Sequence, residues 1–460
     1  MPVEHPLSAQ MFGDDFHFGV AISAAQNEGA ILEDGRSHSV WDVFSRKKTA
    51  TRKGAGPYPA CDFYHRYKED LLLVKALGFN SFRFSISWSR ILPDGSGKAN
   101  PAGIAYYNDV INECLRLGLT PFVTIYHWDL PQVLQQEGGW VSPLINRWFR
   151  HFARICAKAF GDRVKNWLIL NEPAAFTTLG YLVGKHAPGK RSLDAYLKSV
   201  QHAVLAQSEG AAMIRAQVPG ARIGTTFSCS EVIPFSSREE DLAAASRVDL
   251  LMNRIFIEPL LGMGFPEDDR GLMEKMNRRN LTWKHAEKMQ FGMDFIGLQN
   301  YFPVVIKHNP FIPLVQASPV KASDRKVPHT SLGWEINPGA FKNIIRRFSQ
   351  YDGIKELMIT ENGAAFKDSL NRGRVQDDAR IAYYRDHLTA LLQLKQEGMN
   401  ITGYFAWTLM DNFEWAEGYE ARFGLVHVDH ATQVRTIKDS GYWWRAFLEY
   451  QGKGQHAVRI

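Results

Sequence analysis

Eight short β-rich runs recur along the chain, each followed by a longer stretch of helical character, and this alternation constrains the fold more than any other feature. The runs combine β-branched, aromatic and small residues, and several are apolar throughout, which is typical of strands covered on both faces. They span residues 16–21, 81–88, 120–128, 166–172, 221–229, 294–302, 356–361 and 401–409. A chain that alternates strand and helix forms a parallel sheet, so the pattern predicts an α/β fold.

The stretches between the runs end with residues that are typical of helix C-termini. Residues 67–77 contain an apolar stripe and stop at Gly78. Residues 105–117 and 143–160 stop directly before Gly118 and Gly161, residues 379–396 stop two positions before Gly398, and residues 193–217 run to Pro219-Gly220. Because glycine accepts the left-handed conformation that ends many helices, each stop predicts a turn into the next strand.

Eight strand–helix pairs without clustering of strands predict a closed (β/α)8 barrel, or TIM barrel, with the active site at the C-terminal mouth of the strands. We predict one barrel domain over residues 1–460. The alternative is a doubly wound open sheet, which ordinarily has a glycine-rich phosphate loop. The glycine pairs at 54–56 and 262–264 lack a third glycine and a preceding strand, and residues 95–98 lack the spacing of a Walker loop. The long connections 28–61 and 302–334 are expected to border the mouth.

Composition narrows the range of partners. The net charge is +6, but the basic residues are scattered, and the groups at 46–48 and 278–279 are too short to form a nucleic-acid-binding stripe. No apolar run reaches the ~18 residues that a membrane span needs, and residues 1–18 lack the pattern of a signal peptide. The four cysteines are widely spaced without a CxxC pair, which favours reduced thiols in a cytoplasmic protein. We therefore expect no nucleic-acid and no membrane partner; the sequence does not determine the oligomeric state.

Polar and aromatic residues lie at or just beyond nearly every predicted strand end. In a parallel barrel these ends share one mouth, so residues distant in sequence converge there. Taken singly, a histidine is more often a core residue, a tryptophan is more often packing, and an arginine is more often an ion-pair partner. Together they form a set suited to holding a polyol: Gln26, Arg83, Trp88, His127, Trp128, Asn171, Glu172, Asn300, Tyr301, Glu361, Asn362, Trp407, Glu414 and Trp415.

Two carboxylates stand out in this set. Glu172 ends the fourth run and Glu361 ends the seventh, so they lie on opposite sides of an eight-stranded barrel and can face one another. Hydrolysis of a glycosidic bond needs one carboxyl group to protonate the leaving oxygen and another to attack the anomeric carbon or activate water. The separation of the two carboxyl groups distinguishes retention from inversion of configuration, and spacing in the sequence does not supply it.

Several motifs together resemble glycoside hydrolase family 1. They are Phe18-Gly-Val-Ala-Ile-Ser-Ala-Ala-Gln26-Asn-Glu28-Gly, Tyr126-His-Trp-Asp-Leu-Pro131, Asn171-Glu-Pro173, Ile359-Thr-Glu-Asn-Gly363, Trp407-Thr-Leu-Met-Asp-Asn-Phe-Glu-Trp415 and Arg422-Phe-Gly-Leu-Val-His-Val-Asp429. The motifs keep the family's order from about residue 12 to residue 450. Asn-Glu-Pro alone would be weak evidence for the family, but the complete series of motifs is highly specific for it.

The resemblance implies a retaining β-glucosidase that needs no cofactor and no metal. Glu361 matches the nucleophile and Glu172 the acid/base, while Arg83 and Tyr301 match the residues that support the nucleophile. The substrate-binding set implied by the resemblance, with Trp407 as the platform beneath the sugar ring and Trp334 on the aglycone side, comprises Gln26, His127, Trp128, Asn171, Asn300, Tyr301, Trp334, Trp407, Glu414 and Trp415.

Two comparisons within the resemblance narrow the substrate. Phospho-β-glycosidases of this fold carry a small polar residue where Glu414 stands, and plant thioglucosidases lack the glutamate at position 172. Non-phosphorylated O-glycosides are therefore favoured: terminal β-D-glucosides of short oligosaccharides such as those from cellulose, with β-galactosides and β-fucosides as further expected substrates. A phospho-glycosidase and a sugar-binding protein without catalysis remain the alternatives. Ala25, Ala174 and Asn337 depart from the commoner family pattern, which leaves the aglycone preference open.

Overall fold

The fold is seen in a computed structural model that describes residues 7–267, 271, 273–274 and 286–450. Eight parallel strands form a closed barrel, and their chain order is also their spatial order. The strands are β1 (His17–Ala21), β2 (Ser81–Ser85), β3 (Thr120–Tyr126), β4 (Asn166–Asn171), β5 (Arg222–Ser228), β6 (Phe295–Gln299), β7 (Leu357–Asn362) and β8 (Ile401–Trp407).

Strand β1 closes the barrel because it pairs with both β2 and β8. Val20 lies opposite Phe82 on one side and opposite Ala406 on the other. The predicted (β/α)8 barrel is thus confirmed, and the alternative of an open sheet is wrong. Most observed strands end a few residues before the predicted runs do; in β2, for example, the ladder stops at Ser85 and a short helix begins at Trp88.

A long helix follows each strand and packs outside the barrel. The main helices are α1 (Phe63–Ala76), α2 (Pro101–Arg116), α3 (Ile145–Phe160), α4 (Leu193–Gln217), α5 (Glu239–Asp249), α6 (Pro338–Ser349), α7 (Asp378–Gln396) and α8 (Asp439–Glu449). Helix α3 shows why they pack there: Trp148, Phe149, Phe152 and Cys156 recur at helical spacing and are all buried. Among the described residues, no helix is long and apolar enough to cross a membrane.

The barrel interior is a packed core, not a pore. Phe122, Leu168, Phe295, Met358 and Phe405 point inward and are each at most 1% exposed. Fully burying side chains of this size contributes about 1.5–3 kcal/mol each. The same cluster extends to Trp407, so the interior core forms the base on which the residues at the strand ends rest.

The strand ends are bordered by connections that contain short elements. The predicted long connections after β1 and β6 are confirmed; they contain the helix Val40–Phe44 and the strands Val304–His308 and Ala317–Pro319, respectively. A further long connection, residues 408–438 after β8, is not among the long connections predicted from the sequence. It contains a single 3-10 turn, Trp415–Glu417, and an antiparallel pair of short strands, Val426–Val428 and Arg435–Ile437.

Candidate active site

A cavity of 350 Å³ opens at the C-terminal ends of the barrel strands. Nine residues predicted for the site line it: His127, Trp128, Glu172, Tyr301, Trp334, Glu361, Trp407, Glu414 and Trp415. Four other predicted residues, Gln26, Arg83, Asn171 and Asn300, lie directly behind this lining and are at most 3% exposed. Trp88 and Asn362, also predicted at strand ends, are fully buried and do not line the cavity. The closed barrel therefore gathers residues from seven strands and their following loops around one space.

Both carboxylate-bearing strands lose their regular pairing next to the carboxylate. The pairing of β4 with β5 shifts register between Leu168 and Asn171, and the pairing of β7 with β6 shifts between Ile359 and Glu361. Such irregularities turn a side chain away from the ordinary alternation of a strand. Glu172 also has a left-handed backbone, with φ 46°, where it starts the helix Pro173–Thr177. These local departures direct the two carboxyl groups into the same cavity.

Arg83 and Tyr301 hold the two oxygens of Glu361 separately. Arg83 Nη1 donates to Oε1 over 2.5 Å, and the Tyr301 hydroxyl donates to Oε2 over 2.7 Å. Burial raises the pKa of Glu361 above its ordinary value, while Arg83 and Tyr301 oppose that rise by stabilising the charge. A carboxylate bound in this way is fixed in orientation and favoured as an anion relative to its buried neighbour.

That neighbour is Glu172, whose environment favours the protonated form. Burial raises the pKa of Glu172 well above its ordinary value, and repulsion from Glu361 raises it further. Ser228 and Arg83 act in the opposite direction but do not reverse the shift. Two carboxyl groups in one buried site with unequal partners separate into an acid and an anion.

Asn171 links the nucleophile support to the sugar-facing residues. Its Oδ1 accepts hydrogen bonds from Arg83 Nη2 and from Gln299 Nε2, the latter over 2.8 Å, which identifies its Nδ2 as the donor to His127 Nε2 over 2.9 Å. His127 therefore carries its proton on Nδ1, which has no hydrogen-bond partner among the described residues. Burial and the charge of Arg83 lower the pKa of His127 well below its ordinary value, so the ring is neutral. Its Nδ1–H is available to a hydroxyl in the cavity.

Gln26 and Glu414 form a second polar pair beside the cavity. Gln26 Nε2 donates to Glu414 Oε2 over 3.2 Å, and the Gln26 side-chain oxygen accepts from the Ser23 hydroxyl over 2.6 Å. Burial raises the pKa of Glu414 to about 8, and repulsion from Glu361 contributes to this rise. Both side chains are thereby fixed as hydrogen-bonding groups.

Two groups of aromatic rings form walls of the cavity. In one, the Trp128 and Trp415 rings lie 4.6 Å apart, and the His127 ring is stacked near Trp407 at 5.9 Å. In the other, Trp334 stacks on Phe302 with ring centroids 4.7 Å apart. Flat apolar faces beside fixed polar groups match the two kinds of surface on a sugar ring.

Gly363 allows the ends of β7 and β8 to approach each other. A Cβ atom at this position would lie 2.0 Å from the Trp407 carbonyl oxygen. Any side chain here would separate the strand that carries Glu361 from the strand that carries Trp407.

The family model of glycosyl hydrolase family 1 matches residues 8–453. The chain belongs to glycosyl hydrolase family 1. This family 1 chain is 40% identical to β-glucosidase A of Thermotoga maritima, over 97% of its own length and 99% of the relative. It is 39% identical to a 1,4-β-D-glucan glucohydrolase of Thermotoga neapolitana, over 96% and 99%.

Solved structures agree with the family 1 assignment. A Thermotoga maritima family 1 glycoside hydrolase complexed with a cyclophellitol analogue transition state mimic has a TM-score of 0.92 and 40% identity, over 95% of this chain and 98% of that chain. The family also includes a relative of different specificity: the 6-phospho-β-galactosidase of Clostridium acetobutylicum is 33% identical over 96% of this chain and 98% of the relative.

Some site residues of this family 1 chain were not found from the sequence. Ser228, His186, Phe302 and Phe423 all line the cavity. The position of Ser228 at the end of the fifth predicted run is a signal that could have identified it, because the other strand ends contribute site residues. His186 follows β4 in an irregular connection, where no periodicity indicates direction.

Asn300 is placed differently from the other predicted substrate-binding residues. Its Nδ2 donates to the Cys229 carbonyl oxygen over 2.8 Å, and its side chain does not line the cavity. The backbone N–H of Asn300 donates to the Glu361 carbonyl oxygen over 3.3 Å. The structure thus brings Asn300 to the site, where its side chain joins β5 to β6; direct binding of substrate by Asn300 stays a prediction.

Proposed function

We propose that this protein is a retaining β-glucosidase that releases terminal non-reducing β-D-glucosyl residues, with Glu361 as nucleophile and Glu172 as acid/base. The observation that carries the proposal is the unequal treatment of two carboxyl groups in one cavity. Glu361 has a donor on each oxygen, whereas Glu172 faces the charge of Glu361 in a buried position. This asymmetry supplies the anion and the acid that glycosyl transfer needs.

In the first step, an oxygen of Glu361 forms a bond to the anomeric carbon as the bond from that carbon to the aglycone oxygen breaks. The proton of Glu172 moves to the departing oxygen, so the aglycone leaves as a neutral alcohol. The product is a glucosyl ester of Glu361. Formation of the ester removes the negative charge that raised the pKa of Glu172, so Glu172 is left as a carboxylate able to act as a base.

In the second step, Glu172 takes a proton from water as the water oxygen bonds to the anomeric carbon. The ester bond to Glu361 breaks, and Glu361 regains its charge. Two inversions at the same carbon give glucose with retained configuration. Arg83 and Tyr301 stabilise the carboxylate that leaves, so we propose that they support the second step as well as the first.

We propose that the sugar hydroxyls are bound by Gln26, His127, Asn171 and Glu414 while Trp407 supports the ring. The Nδ1–H of His127 and the second N–H of Asn171 are donors not used by the contacts described above. Trp415 and Trp128 complete the inner wall, and Trp334 borders the aglycone. β-Galactosides and β-fucosides, which share most of these hydroxyl positions, are proposed as further substrates.

The curated relatives support the glucosidase assignment, and Glu414 argues against the phospho-glycosidase alternative. Glu414 offers a phosphate group no cation, and it would have to remain protonated beside the phosphate because its charged form repels that group. We further propose that one barrel domain, residues 1–460, carries the activity and that the protein is cytoplasmic. All four cysteines are buried free thiols, as expected in a reducing compartment.

The function is tested with Glu361→Ala and an activated aryl β-glucoside. We expect kcat/KM to fall at least about 10⁴-fold, and azide to restore release of the aryl group with formation of α-glucosyl azide. Azide fills the space of the missing carboxylate and attacks once, so the configuration inverts. Glu240→Ala, which removes an exposed carboxylate at the start of α5, is the control. Undiminished hydrolysis by Glu361→Ala, or sugar binding without turnover by the unaltered protein, would contradict the proposal.

A further inference from the structure

Outside the cavity, an open groove of 860 Å³ continues from its mouth. This outer groove is lined by residues from the segments 44–52 and 183–191, together with Ala416 and Glu417. Arg52, Lys185, Ala416 and Glu417 also line the cavity, so the two spaces share a border. A substrate whose aglycone extends beyond the cavity therefore has a path along the outer groove.

The outer groove is strongly basic. Its charged lining consists of Lys47, Lys48, Arg52, Lys185 and Arg191, with Glu417 as the opposing carboxylate. Five positive charges minus one negative charge leave a net charge of +4 on this concave surface. The cations come from the connections that follow β1 and β4, which are distant in sequence. The fold, not a run of basic residues, brings them together.

Three of these cations are uncompensated. Glu417 accepts from Arg52 Nε over 2.6 Å and from Lys185 Nζ over 3.2 Å, so its charge is shared between these two. Lys47, Lys48 and Arg191 are exposed and form no ion pair with any described residue. Lys47 Nζ lies over the Phe44 ring at 5.1 Å, a contact that leaves its charge uncompensated, so all three cations can attract an incoming anion.

The cavity and the outer groove differ in charge. In the cavity, Glu361 is the carboxyl group favoured as an anion and it is paired with Arg83, whereas the groove carries a net charge of +4. A neutral glucosyl unit gives no reason for positive charge at the outer end. A substrate with a neutral glucose at one end and an anion at the other is attracted at its anionic end by the groove, and that end is disfavoured beside Glu361, so the substrate is oriented for cleavage.

We propose that the outer groove binds a carboxylate on the aglycone, and that β-glucosides with carboxylate-bearing aglycones are preferred substrates. The proposal rests on the proposed glucosidase function and adds to it a class of aglycone. Oligosaccharides oxidised at the reducing end to aldonic acids belong to this class, because their carboxylate lies at the end opposite the scissile glucosyl unit. A reaction that oxidises the reducing end of an oligosaccharide would supply them.

The test compares cellotrionate with cellotriitol. Both contain two glucose units, and C1 of the third unit is a carboxylate in cellotrionate and an alcohol in cellotriitol. The measured quantity is the ratio of kcat/KM for initial glucose release at low ionic strength. We expect cellotrionate to be favoured roughly five- to tenfold, as for a few partly exposed ion pairs. The ratio should approach one at about 0.5 M salt, where the Debye length is only a few ångströms.

Two variants should move the ratio in opposite directions. Lys47→Gln/Lys48→Gln/Arg191→Gln removes the uncompensated cations, so the ratio should fall towards one while cellotriitol is cleaved at the original rate. Glu417→Gln releases Arg52 and Lys185, so the ratio should rise. The control is Lys75→Gln/Lys158→Gln/Lys355→Gln, which removes the same charge from exposed residues at the other end of the barrel and should keep the ratio.

The outcomes separate the two proposals. Hydrolysis of both substrates with a ratio near one, or with a ratio that the triple groove variant leaves unchanged, overturns the assignment of the groove. Equal loss in the groove variant and in the control variant also overturns it, because the effect would then follow net charge. Failure to hydrolyse cellotriitol and cellotrionate alike would instead contradict the glucosidase function.

Discussion

The Tyr301 hydroxyl binds the one oxygen of Glu361 that Arg83 does not, over a distance of 2.7 Å. Arg83 comes from β2, on the far side of the barrel, and Tyr301 comes from the connection directly after β6. The nucleophile is therefore held from two sides by groups that differ in charge. Each group lowers the pKa of Glu361 against the effect of burial.

Tyr301→Phe removes one of these two donors. Because the hydroxyl stabilises the charged form, its loss should raise the pKa of Glu361. The reaction needs Glu361 as an anion, so the acid limb of the kcat/KM profile should move to higher pH, and kcat should fall roughly tenfold to a hundredfold. The check is a pH profile with an aryl β-glucoside beside Tyr442→Phe, an exposed control. An unmoved acid limb would count against this role.

Glu172→Ala should remove the alkaline limb. In the unaltered protein activity falls as the pH rises through the raised pKa of Glu172, because the proton for the leaving group is lost. An alkyl glucoside should lose at least about 10²-fold in kcat/KM, whereas a dinitrophenyl glucoside should lose much less because its phenolate leaves without a proton. Azide should now give β-glucosyl azide, the retained product. Equal losses for both substrates would contradict the acid role.

His127→Phe tests the donor that Asn171 fixes on the cavity side. An aromatic ring near Trp407 is kept, but the Nδ1–H and the Nε2 that accepts from Asn171 are both lost, so kcat/KM should fall roughly tenfold to a hundredfold. Neither limb of the pH profile should move, because burial and Arg83 already keep His127 neutral through the working range. Loss of a limb would instead show that His127 itself titrates during turnover.

Glu414→Ser tests the exclusion of phosphorylated sugars. The unaltered protein should favour an aryl β-glucoside over its 6-phosphorylated form by at least about a hundredfold in kcat/KM. The substitution removes a hydrogen-bonding carboxyl group whose charged form repels phosphate, and it frees space beside the sugar. The glucoside should therefore lose activity, and the preference for the glucoside over its phosphorylated form should decrease. A phosphorylated substrate preferred by the unaltered protein would support the phospho-glycosidase alternative.

Lys438→Met tests the buried ionic network beneath the connection after β8. Lys438 is fully buried and binds Asp368 and Asp411, the latter over 2.7 Å. Removing one partner leaves uncompensated buried charge, so the free energy of unfolding should fall by about 3 kcal/mol. The exposed pair Lys53–Glu420 provides the comparison, and Lys53→Met should change stability by less than about 1 kcal/mol. Denaturant unfolding measures both; equal changes would contradict the difference in burial.

The barrel was predictable because a β-rich run and a helical stretch that ends near a glycine or proline recur along the chain. Each predicted run contains a barrel strand, and the predicted helix 193–217 has the same ends as α4. The cavity residues at strand ends followed from the topology, because a closed barrel fixes where Glu172 and Glu361 emerge. Their roles came from the motifs, not from periodicity.

The connections were not predictable in the same way. In the sequence, Lys47 and Lys48 belong to a basic group too short to predict a binding surface, and only the fold places them beside Arg191 on one concave wall. His186 enters the cavity through an irregular segment whose direction depends on long-range packing. The side chain of Asn300 turns to the Cys229 carbonyl oxygen because a buried amide needs a partner, a preference that spacing along the chain does not reveal.

Three residues of the cavity, Trp128, Glu172 and Trp415, have positive φ values of 75°, 46° and 49°. Conformations of this kind typically cost on the order of 1–3 kcal/mol each and persist where surrounding structure imposes them. Engineering for thermostability that replaces strained residues would select these three for glycine or asparagine. Those substitutions would remove side chains that line the cavity. Stabilising substitutions are better made on the outer helices, where they can raise the free energy of unfolding by a similar amount and leave the cavity unchanged.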